Sequence, residues 1–143
     1  MRTIKVSTRD LLFALTSRMP DTSHYLDTET GEVVPVFSFN RDRILAMVKV
    51  NPERYVRIAP QSPGRALEMM KRFAGTVTRP ALRERLEAAL REDHSFRQFR
   101  TVLRESPIEY RRWQRFRTDT MTQALRMRLK QRDIELELVT DED

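Results

Sequence analysis

The sequence predicts an α+β fold, a small antiparallel sheet of about three to four strands packed with a mainly helical C-terminal half. Three observations carry this. Residues 61–132 place apolar side chains at spacings of three and four, interrupted by Ser-Pro and Arg-Pro pairs, the pattern of successive amphipathic helices. Residues 23–58 hold short β-branched and aromatic runs around a Gly-containing turn, the pattern of a hairpin and a third strand. After Asp133 the chain alternates strictly, Ile134, Leu136 and Leu138 against Glu135 and Glu137, which reads as one more strand.

In chain order, MRTIKVSTRDLLFAL reads as an amphipathic helix. Asp10 interrupts its apolar segment and no small-residue cleavage site follows, so a signal peptide is not expected. Ser7, three residues before Asp10, is placed to cap that helix, and Leu11, Leu12 and Leu15 form its stripe. The helix should end near Met19-Pro20, because the residue before a proline is pushed out of the α region. Tyr25-Leu26 and Val33 to Phe37 read as strands joined by Asp27 to Gly31, with Gly31 supplying a positive φ. Pro35 cannot donate to a ladder, which puts its strand at an edge or a bulge. Asn40 is placed to cap a short helix carrying Ile44, Leu45 and Val48, broken at Asn51-Pro52. Tyr55, Val56 and Ile58 form the next strand.

Ser62-Pro63 opens a helix burying Leu67, Met70, Phe73, Ala74 and Val77, and Arg79-Pro80 opens one burying Leu82, Leu86, Ala89 and Leu90. Phe96, Phe99 and Leu103 share the face of a third helix, for which Ser95 is the expected cap. Ser106-Pro107 then starts the longest helix, with Glu109 completing a capping box and Tyr110, Trp113, Phe116, Met121, Leu125 and Leu129 along its face. Residues 96–116 hold five of the chain's eleven aromatics, so these two helices must close on each other; Trp113 is expected to be buried against Phe96 or Phe99.

A chain of 143 residues suits one domain, with helix and small sheet in 1–60, helices in 61–132 and an acidic tail in 133–143. An isolated strand in that tail could neither satisfy its backbone nor bury its apolar face. It is expected at the Tyr55–Ile58 edge of the sheet or, were no edge free, across a two-fold axis in a homodimer. The chain has no cysteine, which excludes disulfides and thiolate metal sites, and no apolar run approaches the ~20 residues of a membrane span. The expected compartment is the cytoplasm.

The net charge of +6 is uneven. Residues 79–132 carry 15 basic and 7 acidic side chains, and residues 133–143 carry 6 acidic and no basic ones. Only four of the 27 basic residues are Lys, a bias that suits phosphate and carboxylate forks or a general preference for Arg codons. Arg97, Arg100 and Arg104, then Arg111, Arg112, Arg115 and Arg117, interleave with aromatics, an arrangement used to bind RNA or single-stranded DNA. The same spacing also describes the solvated face of helices whose rings form a core.

Other chemistry is poorly served. His94 beside Glu92 and Asp93 has no nucleophile or second base tied to it by spacing, and reads as a solvated turn. His24 reads as a sheet-edge residue. Asp27, Glu29 and Glu32 cluster at the hairpin, but no metal motif accompanies them. Three glycines cannot build a phosphate loop or a dinucleotide fingerprint, so no cofactor is implied.

Taken together, YLDTETGEVV, RYVRIAP, SPGRALEMMKRFAGTV, PALRERLEAAL and SFRQFRTVL, with Trp113 and Phe116 downstream, resemble a bacterial uncharacterised protein family, number 0158 of the UPF series. The resemblance spans roughly residues 24–130, and implies a fold and a bacterial setting; it transfers no catalytic or ligand-binding residue. The expected function is a non-catalytic binding or adaptor role with an unidentified protein partner. The alternative is nucleic-acid binding through the Arg97 to Arg117 helices.

Overall fold

The structure, a computed structural model, describes residues 1–140. Asp141, Glu142 and Asp143 of the acidic tail lie outside the described residues. The elements are β1 (Arg2–Ser7), α1 (Thr8–Thr16), β2 (Ser23–Asp27), β3 (Val33–Val36), α2 (Arg41–Val50), β4 (Tyr55–Ile58), α3 (Pro63–Gly75), α4 (Pro80–Ala89), α5 (Ser95–Leu103), α6 (Pro107–Lys130) and β5 (Ile134–Val139). The fold is α+β, and its residues divide into two compact units. Unit 1 is Met1–Pro60 with the chain from Thr122 onward, and unit 2 is Gln61–Met121.

Unit 1 holds two sheets. The antiparallel one has the order β3-β2-β4, with Leu26 opposite Val33 on one side and Val56 on the other. Its hairpin closes through Asp27 N–H donating to the Glu32 carbonyl and Gly31 N–H to the Asp27 carbonyl. Gly31 sits at φ +81°, and a Cβ there would run into the Lys5 carbonyl of β1. Pro35 lies on the edge strand β3, where its missing N–H costs nothing. Along the opposite edge, Arg128 Nη1 donates to the Arg57 carbonyl at 2.7 Å and Arg132 Nη1 to the Glu53 carbonyl at 2.8 Å.

The second sheet is a parallel pair, β1 with β5, and it corrects two expectations. Residues 2–7 form a strand rather than the start of the first helix: Ile4 and Val6 are buried while Thr3 and Lys5 are exposed, a period of two. The helix begins only at Thr8, where the Ser7 hydroxyl accepts from Asp10 N–H as expected. The tail strand forms, but it joins β1 and not the Tyr55–Ile58 edge. With β1 available, Ile134 and Leu136 are buried within the chain, and Lys5 stands opposite Glu137. The argument for a two-fold dimer through this strand therefore loses its premise.

Unit 2 is built on rings. Phe73 of α3 and Phe99 of α5 both meet Trp113 of α6 edge-on at 5.2 Å between centroids, and Phe116 lies 5.4 Å from Phe73. Trp113 is 4% exposed and packs on Phe99, one of its two expected partners. Ser62 caps α3 by accepting from Arg65 N–H, with Pro63 in the first turn. The cap of α5 is His94 rather than Ser95, in the left-handed region at φ 58°. Glu109 is engaged by Arg112 (2.8 Å) instead of reaching back in a capping box.

Candidate nucleic-acid interface

The charge follows the division into units. Unit 2 carries 14 Arg and Lys against 8 Asp and Glu, a net charge of +6, while unit 1 carries 13 of each. The whole net charge of the chain thus belongs to the helical unit.

On α5, Phe99, Val102 and Leu103 are buried, and Arg97, Arg100 and Arg104 occupy the exposed side. At about 100° per residue these three guanidinium stems fall within about 60° of arc, a single ridge along the helix. None of the three has a carboxylate partner among the described residues.

The four candidate arginines of α6 separate into three groups. Arg111 and Arg115, four residues apart, are exposed on the outer side of the helix. Arg117 is half-buried, and burial together with the charge of nearby Arg100 lowers its pKa, while Tyr110 acts the other way. Two guanidiniums therefore stand close with no carboxylate between them among the described residues. Arg112 is committed elsewhere. It pairs with Glu109, donates from Nη1 to the Thr76 hydroxyl at 2.9 Å, and lies 4.5 Å over the Phe73 ring. Arg112 thus belongs to the structural seam with α3. The other six remain as candidates, with Arg100 and Arg117 brought together. Arg85 on α4 is also neutralised, by a forked pair with Glu105.

Of the rings interleaved with these arginines, Phe99 and Trp113 are buried and Phe96, Tyr110 and Phe116 are half-buried, so none stands fully open to solvent.

The other candidate residues are placed as follows. Glu92, Asp93 and His94 are all exposed at the turn before α5. Asp27 and Glu29 converge on Arg54: Nε and Nη2 donate to the two Asp27 oxygens at 2.9 and 2.8 Å, and Nη1 to Glu29 at 3.1 Å. The guanidinium stands where a cation held by those carboxylates would have to sit. It holds the Asp27 carboxyl below its ordinary pKa, helped by the Glu29 N–H. His24 is not at a sheet edge. It lies on the central strand β2, buried, with its ring edge-on to Phe13, and burial lowers its pKa.

One exposed feature was not expected from the sequence, which read the strand on to Phe37, whereas β3 ends at Val36. Phe37 and Phe39, in the turn between β3 and α2, stack at 5.3 Å with 17° between ring planes, and Phe39 is 84% exposed. Residues two apart in extended chain share a face, so FSFN by itself did not mark Phe39 as exposed.

Among the described residues no helix is long and apolar enough to cross a membrane. No solved structure matches the chain. A curated relative, the UPF0158 protein PA5073 of Pseudomonas aeruginosa, is 29% identical over 136 residues, covering 94% of this chain and 88% of that protein. The model of the Uncharacterised protein family (UPF0158) matches residues 1–143, the N-terminal strand and the tail included, and the chain belongs to that family.

Proposed function

We propose that this is a binding protein that holds nucleic acid by its phosphate backbone through unit 2. The observation that carries the reading is the Arg97–Arg100–Arg104 ridge, without carboxylate partners among the described residues, on a unit that accounts for the full +6 of net charge. Arginine forks suit phosphate oxygens, and clustering them on one ridge raises the local positive potential. With Phe99 and Trp113 buried, the contact we propose for the α5 ridge is with phosphates, so it carries little sequence preference and weakens steeply with salt.

The test is fluorescence anisotropy with labelled RNA, single-stranded DNA and duplex DNA across a salt series. Binding whose log affinity falls linearly with log salt, with comparable affinity across sequences, is the expected result. An absence of binding at low salt, or capture of an acidic protein in preference to every nucleic acid tried, would overturn the reading.

A further inference from the structure

Unit 1 holds an open cavity of about 410 Å³ between its antiparallel sheet and α2. Ligand pockets run from about 300 to 1,000 Å³, so this one suits a small molecule. Strand register sets its sheet wall. Asp27 stands opposite Tyr55, and Val34 opposite Tyr25, two residues from Asp27 and on the same face. The helix wall is Ile44 and Met47, about one turn apart, with Arg43 beside them.

Asp27 is fully engaged by Arg54, which donates to both of its oxygens. Three other polar groups on the lining are not engaged. Tyr55 is only 5% exposed, yet its hydroxyl makes no hydrogen bond among the described residues. None of their buried side-chain nitrogens or oxygens is sealed away without a partner, so this hydroxyl opens on the cavity that Tyr55 lines. Glu32 and Arg43 line the same cavity, both exposed, and neither has an ionic partner among the described residues. A simple anion would leave Glu32 unanswered, and a simple cation would leave Arg43 unanswered. Both signs of charge beside an apolar wall match a small zwitterion with an apolar body.

We propose that this cavity binds a free α-amino acid with an apolar side chain. Arg43 and the Tyr55 hydroxyl donate to its carboxylate, Glu32 accepts from its ammonium group, and its side chain lies on Val34, Ile44 and Met47. The site belongs to unit 1 by itself and does not depend on the phosphate-binding reading of unit 2.

The test is isothermal titration of the full chain with L-leucine, leucinamide, which lacks the carboxylate, and N-acetyl-L-leucine, which lacks the ammonium group. L-leucine is expected to bind, one molecule per chain, and each derivative about tenfold more weakly or worse, because each leaves a charged group unanswered. Arg43→Gln should bind L-leucine and leucinamide equally, and Glu32→Gln should bind L-leucine and N-acetyl-L-leucine equally. Both side chains are exposed, so both variants should melt as wild type does. Tyr55→Phe keeps the buried ring and should weaken L-leucine about tenfold. An absence of binding by L-leucine, L-methionine and L-phenylalanine at millimolar concentration overturns the proposal. So does L-leucine binding that the three variants leave unchanged, which would place the ligand elsewhere. Equal binding of L-leucine and both derivatives by wild type would show that only the apolar body is read, and overturns the zwitterion assignment.

Discussion

Gly31→Ala tests the connection between the hairpin and β1. Gly31 has φ +81°, and an L-residue held in that region costs about 1–2 kcal/mol. The second cost is steric. The new Cβ would overlap the Lys5 carbonyl oxygen and lie 3.2 Å from the Lys5 carbonyl carbon, inside the about 3.5–4.0 Å of ordinary carbon–carbon contact. The obstacle is backbone, so no rotamer change relieves it. β1 would have to retreat by about 1 Å, disturbing the packing of Ile4 and Val6, at about 2 kcal/mol for overpacking of this kind. The expected loss is about 3–4 kcal/mol, with a fall in Tm of about 10 °C or more. Gly75→Ala is the control. A Cβ there meets nothing within 4 Å, and alanine near the end of α3 should stabilise by about 0.5 kcal/mol. Urea and thermal denaturation followed by far-ultraviolet circular dichroism measure both. A Gly31→Ala protein within about 1 kcal/mol of wild type would refute the placement of β1 against the hairpin.

Three further outcomes are expected. Trp113→Ala removes the ring packed on Phe73 and Phe99, and should cost about 3–5 kcal/mol in urea denaturation, with Trp113→Phe much milder. Stability should fall with acid in two windows. His24, with its folded pKa below the ordinary 6.5, favours the folded state less as pH drops below that value and the unfolded chain binds the proton first. Asp27, with its folded pKa below 3.8, contributes stability that is present above that pH and lost as pH falls through the folded value. Asp27→Asn should flatten only the lower limb in melts taken across pH. Truncation after Asp133 removes Ile134 and Leu136, whose burial is worth about 1.5–3 kcal/mol each. It also leaves β1 without a partner strand, so the circular dichroism melt should lose most of its cooperative transition.

Most of the elements were legible because their ends are chemically marked. Ser7, Ser62-Pro63 and Arg79-Pro80 each announce a helix start, and Gly31 announces the hairpin. β1 was not legible. Its two buried residues, Ile4 and Val6, are too few to establish an alternation, and the partner that makes it a strand is β5, at the far end of the chain. Missing β1 also misplaced β5: the alternation from Ile134 told its conformation, but a pairing partner is a tertiary fact. The arginine ridge on α5 was legible as a helical face. The removal of Arg112 from it was not, because its neighbours Thr76 and Phe73 come from α3 and only packing brings them together. Asn40 misled in a similar way. It stands where a cap should be, but its amide fastens the Phe37 turn.

The central claim is that the exposed ridge of α5 contacts phosphates, and the salt dependence of a ridge variant tests it most directly. In Arg97→Ala/Arg100→Ala/Arg104→Ala, with an Arg18→Ala/Lys49→Ala protein of unit 1 as control, each lost phosphate contact should remove about 0.7 from the slope of log affinity against log salt on a single strand. The account predicts a slope shallower by about 2 for the ridge variant, an unchanged slope for the control, and wild-type melting for both. A ridge variant that keeps the wild-type slope and affinity would contradict it.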